Sequence, residues 1–305
     1  DAQIFADCYS NVSFTTAIPP RVGDLQVRQT ARVKTLQPVA PTGAWGILAM
    51  TLVSASAVVL LVALERPLGY AVLAAGLGLA YVVDRVLLRS LAIVALALVA
   101  LSSISLAADL SNAGIARFAV VLSFVVVVPA LLARRYIAPD AVTFPLRTGT
   151  RWSKKAWAYL VFVVVAGYLI LPAYFLGSGA YQNWPAIETP NEIGRLFFGV
   201  NAVGIWDELF FVCIVFALYR RHVPLWLANV LQAVVFVSFL WELGYRSWGP
   251  LLTIPFALIQ GWTFALTKSL TYVVTVHLLF DAVVFMVLVH AHNPHLFDIF
   301  ITAPW

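Results

Sequence analysis

The feature that most constrains this chain is a series of nine apolar segments, each near the ~20 residues that a membrane-spanning helix needs. They cover approximately residues 44–64, 68–83, 88–107, 114–133, 157–176, 196–219, 225–243, 250–267 and 270–290. A segment inside a bilayer must satisfy its backbone hydrogen bonds internally, so such runs predict α-helices. We therefore predict an all-α fold, a polytopic transmembrane helical bundle of about nine helices.

The composition agrees with a membrane protein and excludes several other classes. The chain is 62% hydrophobic and 11% charged, whereas a soluble domain carries about a quarter charged residues. We assign the net charge of +5 to loops that set membrane orientation, so no nucleic-acid partner is expected. The two cysteines, Cys8 and Cys213, cannot form a disulfide framework or a CxxC metal site.

The chain divides into three regions by composition. Residues 1–42 hold prolines and scattered charges, which predicts a polar N-terminal tail. Residues 43–156 hold the first four apolar segments, whose polar residues are mainly Ser and Thr and whose predicted role is packing and anchoring. Residues 157–305 form a membrane domain that carries the ionisable residues of the candidate site described below.

The distribution of Lys and Arg predicts the orientation. Basic residues of the connection 134–156, and those at 85–89, 220–221 and 268, fall on one side if all nine segments span. Short basic loops are usually cytoplasmic. We expect an integral protein of a bacterial plasma membrane, with its N-terminus inside, its C-terminus outside and the lipid bilayer as its immediate partner.

Five ionisable residues lie where a membrane protein least tolerates them. Asp207 and Glu208 are adjacent in the sixth segment, Glu242 ends the seventh, and His277 and Asp281 lie in the ninth. The spacing of the last two, i and i+4, places both on one helical face. Ionisable residues inside a membrane are costly and usually mark a functional site.

Imidazole and carboxylate groups together can hold a divalent metal such as zinc or deprotonate a water molecule. The sequence thus makes Glu208, Glu242, His277 and Asp281 candidate metal ligands. The alternative from these residues alone is a buried polar cluster that only fixes helix packing.

The motifs around these residues resemble the CPBP intramembrane proteases, the group of the CAAX prenyl endopeptidase Rce1 and the bacteriocin-processing proteins. Residues 207–211, DELFF, are similar to the family's Glu-Glu-x-x-x-Arg motif, with Asp in the first place. Residues 277–281, HLLFD, match the His-x-x-x-Asn/Asp motif. The resemblance covers roughly residues 196–290, which implies a CPBP-like core in the C-terminal half.

The resemblance also implies catalytic roles. Asp207 and Glu208 would activate water, while His277 and Asp281 would polarise the scissile carbonyl group. Two positions depart from the family pattern: Val212 stands where the first motif has Arg, and Glu242 aligns with the His of Phe-x-x-x-His. Glu242 would then replace that His as a partner of the water or the metal.

The function predicted from these observations is a metal-dependent intramembrane endopeptidase that cleaves a membrane-associated protein or peptide. Two alternatives remain open at this stage. One is a non-catalytic scaffold or assembly subunit that binds other membrane subunits. The other is a proton- or ion-coupled carrier in which the acids form a relay.

Overall fold

A computed structural model describes residues 42–146 and 151–302. The described part is all-helical and contains nine helices that are long and apolar enough to cross a membrane. They are α1 (Ala44–Val62), α2 (Arg66–Val83), α3 (Arg85–Ser102), α4 (Asn112–Tyr136), α5 (Lys154–Gly177), α6 (Pro190–Tyr219), α7 (Leu225–Leu243), α8 (Pro250–Thr267) and α9 (Leu270–His292). The predicted fold class is confirmed, and residues 1–41 of the predicted tail lie outside the described residues.

Short polar caps define where many of these helices begin. The side chains of Asp84, Ser111 and Ser153 accept hydrogen bonds from the first turns of α3, α4 and α5. Thr189 and Glu192 form a reciprocal capping box at the start of α6. Such caps satisfy amide groups that have no partner within the helix. The capping box explains why α6 begins at Pro190 and not at the predicted residue 196.

The helices pack through apolar faces and leave other apolar faces exposed. α1 packs on α2 and α7, α9 packs on α5 and α6, and α7 packs on α8. Large apolar side chains still point outward, including Val82, Phe198 and Trp45, which are 80%, 67% and 67% exposed. An outer surface of this kind requires lipid around it. The protein is therefore an integral multi-pass membrane protein.

Candidate active site

Four ionisable side chains from α6 and α9 meet inside the bundle. His277 Nδ1 lies 2.7 Å from an oxygen of Glu208. His277 Nε2 lies 3.6 Å from a carboxylate oxygen of Asp207 and 3.8 Å from one of Asp281. All four side chains are at least nine-tenths buried. We call Asp207, Glu208, His277 and Asp281 the acid–histidine cluster.

The local geometry of α6 lets two neighbouring acids approach one imidazole. Asp207 is the last residue of the regular α-helical part, and Glu208 begins a π-helical stretch that continues to Phe216. A π-helical stretch changes the angular spacing of side chains and often marks a functional site. Asp207 and Glu208 accordingly contact different nitrogen atoms of His277.

Gln260 from α8 holds Glu208 in place. Its side-chain NH₂ group donates to the same Glu208 oxygen at 2.6 Å and to the Val273 carbonyl at 3.1 Å. Gln260 is fully buried. The sequence showed only a polar residue in the middle of an apolar segment, and this was not enough to assign Gln260 to the site.

A glycine makes the close approach of α6 and α9 possible. A Cβ atom added at Gly204 would lie 2.0 Å from an oxygen of Asp281 and 3.2 Å from the His277 ring. Any larger residue would thus displace the Asp281 carboxylate. Gly204 is a second site residue that the sequence pattern did not reveal.

Three carboxylate oxygens of the cluster have no hydrogen-bond partner among the described residues. They belong to Asp207, Glu208 and Asp281, and each is fully shielded. Buried polar atoms are normally paired, so unpaired acceptors in a native site call for an explanation. Because these oxygens are shielded, a proton shared among the carboxyl groups, rather than water, is the donor that could reach them.

The cluster lies against a large apolar cavity. This cavity has a volume of about 410 Å³, and Asp207, His277 and Asp281 line it. Glu208 does not line it and stands behind His277. Most other lining residues are apolar side chains of α4 and α6. The cluster therefore presents an imidazole and two carboxyl groups to a space that suits an apolar ligand.

Glu242, the fifth predicted site residue, lies elsewhere. Its carboxylate accepts a hydrogen bond of 2.9 Å from the Leu106 amide, and it lines a different cavity beside Arg66 and Ser102. Leu240 takes the position on α7 that faces His277 across the apolar cavity. Residues 240 and 242 differ by about 200° around a helix, so they point to opposite sides.

The structure also bears on metal binding. Among residues 42–146 and 151–302, no group of three or more His, Cys, Asp and Glu side chains is arranged to hold a metal ion. Glu242 is separated from Glu208, His277 and Asp281, so the predicted ligand set is not assembled around one point. The divalent metal stays a prediction.

Comparison with known protein families gives a match in the part of the chain that holds the acid–histidine cluster. Residues 189–283 match the sequence model of the type II CAAX prenyl endopeptidase Rce1-like family. The match begins at the cap of α6, ends within α9 and contains the whole acid–histidine cluster. No curated protein and no solved structure matches the chain. The resemblance to the CPBP and Rce1-like proteins is confirmed, whereas its bacteriocin-processing branch stays a prediction.

Proposed function

Since the chain carries an Rce1-like domain at residues 189–283, we propose that it hydrolyses peptide bonds of a membrane-associated protein or peptide at the acid–histidine cluster. The observation that carries this proposal is the position of His277. One ring nitrogen contacts a buried carboxylate, and the other faces two carboxyl groups at the wall of an apolar cavity.

Glu208 serves as the positioning residue for His277. The Glu208 carboxylate, 2.7 Å from Nδ1, accepts a hydrogen bond from the Nδ1–H group, and this tautomer leaves Nε2 free to act as a base. The same division of roles between a buried acid and a histidine operates in hydrolytic triads. Gln260 donates to the Glu208 oxygen and limits its rotation.

Asp207 and Asp281 supply the acceptors that hold the attacking water next to Nε2. His277 Nε2 takes one proton from this water while the water oxygen bonds to the carbonyl carbon. The protonated imidazole then donates to the nitrogen of the leaving amine, and the peptide bond breaks. This scheme assigns the base to His277, whereas the family resemblance assigned it to Asp207 and Glu208.

The cavity supports an apolar substrate segment. Its walls are mostly apolar side chains, and it extends from the cluster along α4 and α6. A membrane-associated peptide can place apolar side chains there and bring its backbone to His277. None of these reaction steps uses a metal ion, and metal dependence is a separate prediction.

The test is cleavage of a library of lipid-anchored fluorogenic peptides by the purified protein in lipid nanodiscs. We expect His277→Asn and Glu208→Gln each to lower cleavage by about 10²–10⁴-fold, because general acid–base catalysis contributes about that much. His222→Asn is the matched control, since His222 is also buried but bonds to Ser90 outside the cluster. Undiminished cleavage by both site variants would overturn the assignment.

Metal content of the same preparations tests metal dependence separately. A stoichiometric divalent metal in the wild type that is lost in Glu208→Gln and His277→Ala would support a metalloenzyme. Its absence from a cleaving wild type would support the metal-free scheme. The scaffold and carrier alternatives have no specific observation in their favour.

A further inference from the structure

The apolar cavity is a cleft between α4 and α6 that opens sideways. Residues from 115 to 127 of α4 form one wall, and residues from 195 to 209 of α6 form the other. Val127 and Phe198 line it and are 53% and 67% exposed at the outer surface. A ligand in the surrounding lipid can therefore reach the cluster between these two helices.

Arg195 places a positive charge at one end of this cleft. Its guanidinium donates to Asn191 Oδ1 at 3.1 Å, to the Leu110 carbonyl at 3.0 Å and to Asn112 Oδ1 at 2.7 Å. These acceptors are neutral, so they orient the guanidinium without cancelling its charge. A fixed guanidinium is well suited to bind a carboxylate or a phosphate.

The acids near this end of the cleft have their own partners. Glu192, three residues before Arg195, accepts hydrogen bonds from the Glu188 and Thr189 amides and from the Thr189 hydroxyl. Asp109 lines the same cavity, and the Ser111 amide holds the pKa of its carboxyl below the usual value. Arg117 lies 3.3 Å from this carboxylate. Arg195 forms no ion pair within the described ranges 42–146 and 151–302. Its charge is therefore available to a ligand that carries an acidic group.

The distance between Arg195 and the acid–histidine cluster sets the length of peptide that can connect them. Both Arg195 and Asp207 lie in the α-helical part of α6, so their twelve-residue separation corresponds to about 18 Å at 1.5 Å per residue. An extended peptide covers roughly 3.4 Å per residue. About five residues then separate a group bound at Arg195 from the bond next to His277.

Arg195 lies at the end of the bundle opposite to the basic loops. It is close to the start of α6, beside the connection between α3 and α4. Arg66, Arg117 and Arg246 lie at the same end as Arg195. Most basic residues lie at the other helix ends: Arg85, Arg89, Arg134, Arg135, Arg151, Lys154, Lys155, Arg220, Arg221 and Lys268. Such loops are usually cytoplasmic, which places Arg195 on the non-cytoplasmic side.

From these observations we propose that the cleft between α4 and α6 receives an apolar peptide segment from the non-cytoplasmic leaflet. A carboxylate of this segment, from its C-terminus or from an acidic side chain, binds Arg195 about five residues from the scissile bond. The inference rests on the proposed peptidase function, and it specifies the substrate's compartment and its charged anchor.

The carboxylate is tested by binding, independently of cleavage. The probe is a photoreactive peptide of six apolar residues, added to nanodiscs that hold the Glu208→Gln protein, in which cleavage is expected to be slow. Three forms are compared: a free C-terminal carboxylate, a C-terminal amide, and the amide with a Glu side chain at the end. We expect crosslinking of either acidic form to exceed that of the amide by about tenfold, because hydrogen bonds to charged groups are the stronger ones.

Matched variants identify the groove and the arginine. Arg195→Gln removes the preference for the acidic forms, whereas Arg246→Gln, an exposed arginine on the connection after α7, leaves it intact. Gly199→Phe fills the cleft and abolishes crosslinking, whereas Gly194→Phe, outside the cavity lining, does not. A Cβ atom meets nothing within 4 Å at either glycine, so the first carbon of either new side chain has room. Equal crosslinking of all three peptides, or displacement of the probe by anionic lipid alone, would overturn the carboxylate subsite.

The side of access is tested with a membrane-impermeant maleimide in intact cells. In a Cys8→Ser background, Glu188→Cys should be labelled from outside and Lys154→Cys only after permeabilisation. Cys213 is buried and stays unlabelled. The reverse pattern would overturn the inferred compartment. Crosslinking without any cleavage by the wild type would contradict the proposed function while leaving the binding inference standing.

Discussion

Two groups of polar side chains are buried among the membrane helices, and they differ in kind. The acid–histidine cluster holds ionisable groups that face one another and an apolar cavity. The second group, which we call the amide cluster, consists of Asn229 and Gln232 on α7. Their NH₂ groups donate to the Leu258 and Ala257 carbonyls of α8 at 2.7 and 3.0 Å, and Gln232 also donates to Asn229.

The difference teaches how to separate packing from chemistry in a membrane interior. Neutral amides that bond to backbone carbonyls join two helices, and an amide cannot act as a general acid or base. In the acid–histidine cluster each carboxylate keeps a free acceptor, and three of its members reach the cavity. Burial alone does not distinguish the two groups. An unpaired acceptor does not distinguish them either, because Gln232 Oε1 also has no hydrogen-bond partner among the described residues. The ionisable groups and the cavity do.

Among the glycine variants that compare the two clusters, the largest effect is expected where a methyl group disturbs the acid–histidine cluster. Gly204→Ala places a Cβ atom 2.0 Å from the Asp281 carboxylate, so that carboxylate must move away from His277. We expect cleavage to fall by about 10²-fold, because a displacement of about 1 Å at a reacting centre costs that much. The measurement is the initial rate per folded molecule on a peptide that the wild type cleaves.

Gly194→Ala is the control for this prediction. It lies on the same helix, and a Cβ atom there meets nothing within 4 Å. Its cleavage rate should equal that of the wild type. Equal rates for Gly204→Ala and the wild type would show that the position of Asp281 does not matter to the reaction.

An intermediate effect of a different kind is expected at the amide cluster. Gly261→Ala brings a Cβ atom 2.0 Å from Asn229 Oδ1 and forces the amides away from α8. We expect the free energy of unfolding to fall by about 1–2 kcal/mol, the range of interhelical hydrogen bonds in membranes. Cleavage per folded molecule should not change. Gly78→Ala on α2, which has open space, is the control in thermal unfolding experiments.

The opposite outcomes of these two variants would show that the two clusters do not differ in role as argued above. If Gly261→Ala lowered the cleavage rate of the folded protein as much as Gly204→Ala, the amide cluster would belong to the catalytic machinery. If Gly204→Ala reduced only stability, the acid–histidine cluster would be a packing device.

Much of this arrangement was predictable from the sequence because the spans of membrane helices, and the faces on which their residues lie, follow from hydropathy and helical periodicity. The spans 225–243 and 250–267 were predicted with the bounds that α7 and α8 have. The i, i+4 spacing placed His277 and Asp281 on one face, and the cost of buried charge pointed to Asp207 and Glu208 as partners. These inferences need only hydropathy, helical periodicity and the energetics of ionisable groups in lipid.

The remaining features depend on how the helices are rotated and how closely they approach. Sequence alignment with the second motif suggested Glu242, but the rotation of α7 presents Leu240 to the cavity. Gly204 matters because α9 lies directly against it. Gln260 contributes because α8 aims it at Glu208. Each fact concerns the contact between two helices, which the periodicity of a single helix does not contain.

The smallest effect is expected at Glu242, and it decides how far the acid–histidine cluster extends. Gln at this position keeps an oxygen that can accept from the Leu106 amide, the one hydrogen bond found for this side chain in the described part of the chain. We therefore expect Glu242→Gln to alter the cleavage rate by less than about twofold and stability by about 0.5 kcal/mol or less. Glu208→Gln, the same chemical change at a carboxylate beside His277, is the matched comparison. If the two variants lost cleavage equally, Glu242 would act in the reaction, and α7 would have to rotate to bring its carboxylate to the cavity. A large loss at Glu208 alone would confine the chemistry to α6 and α9.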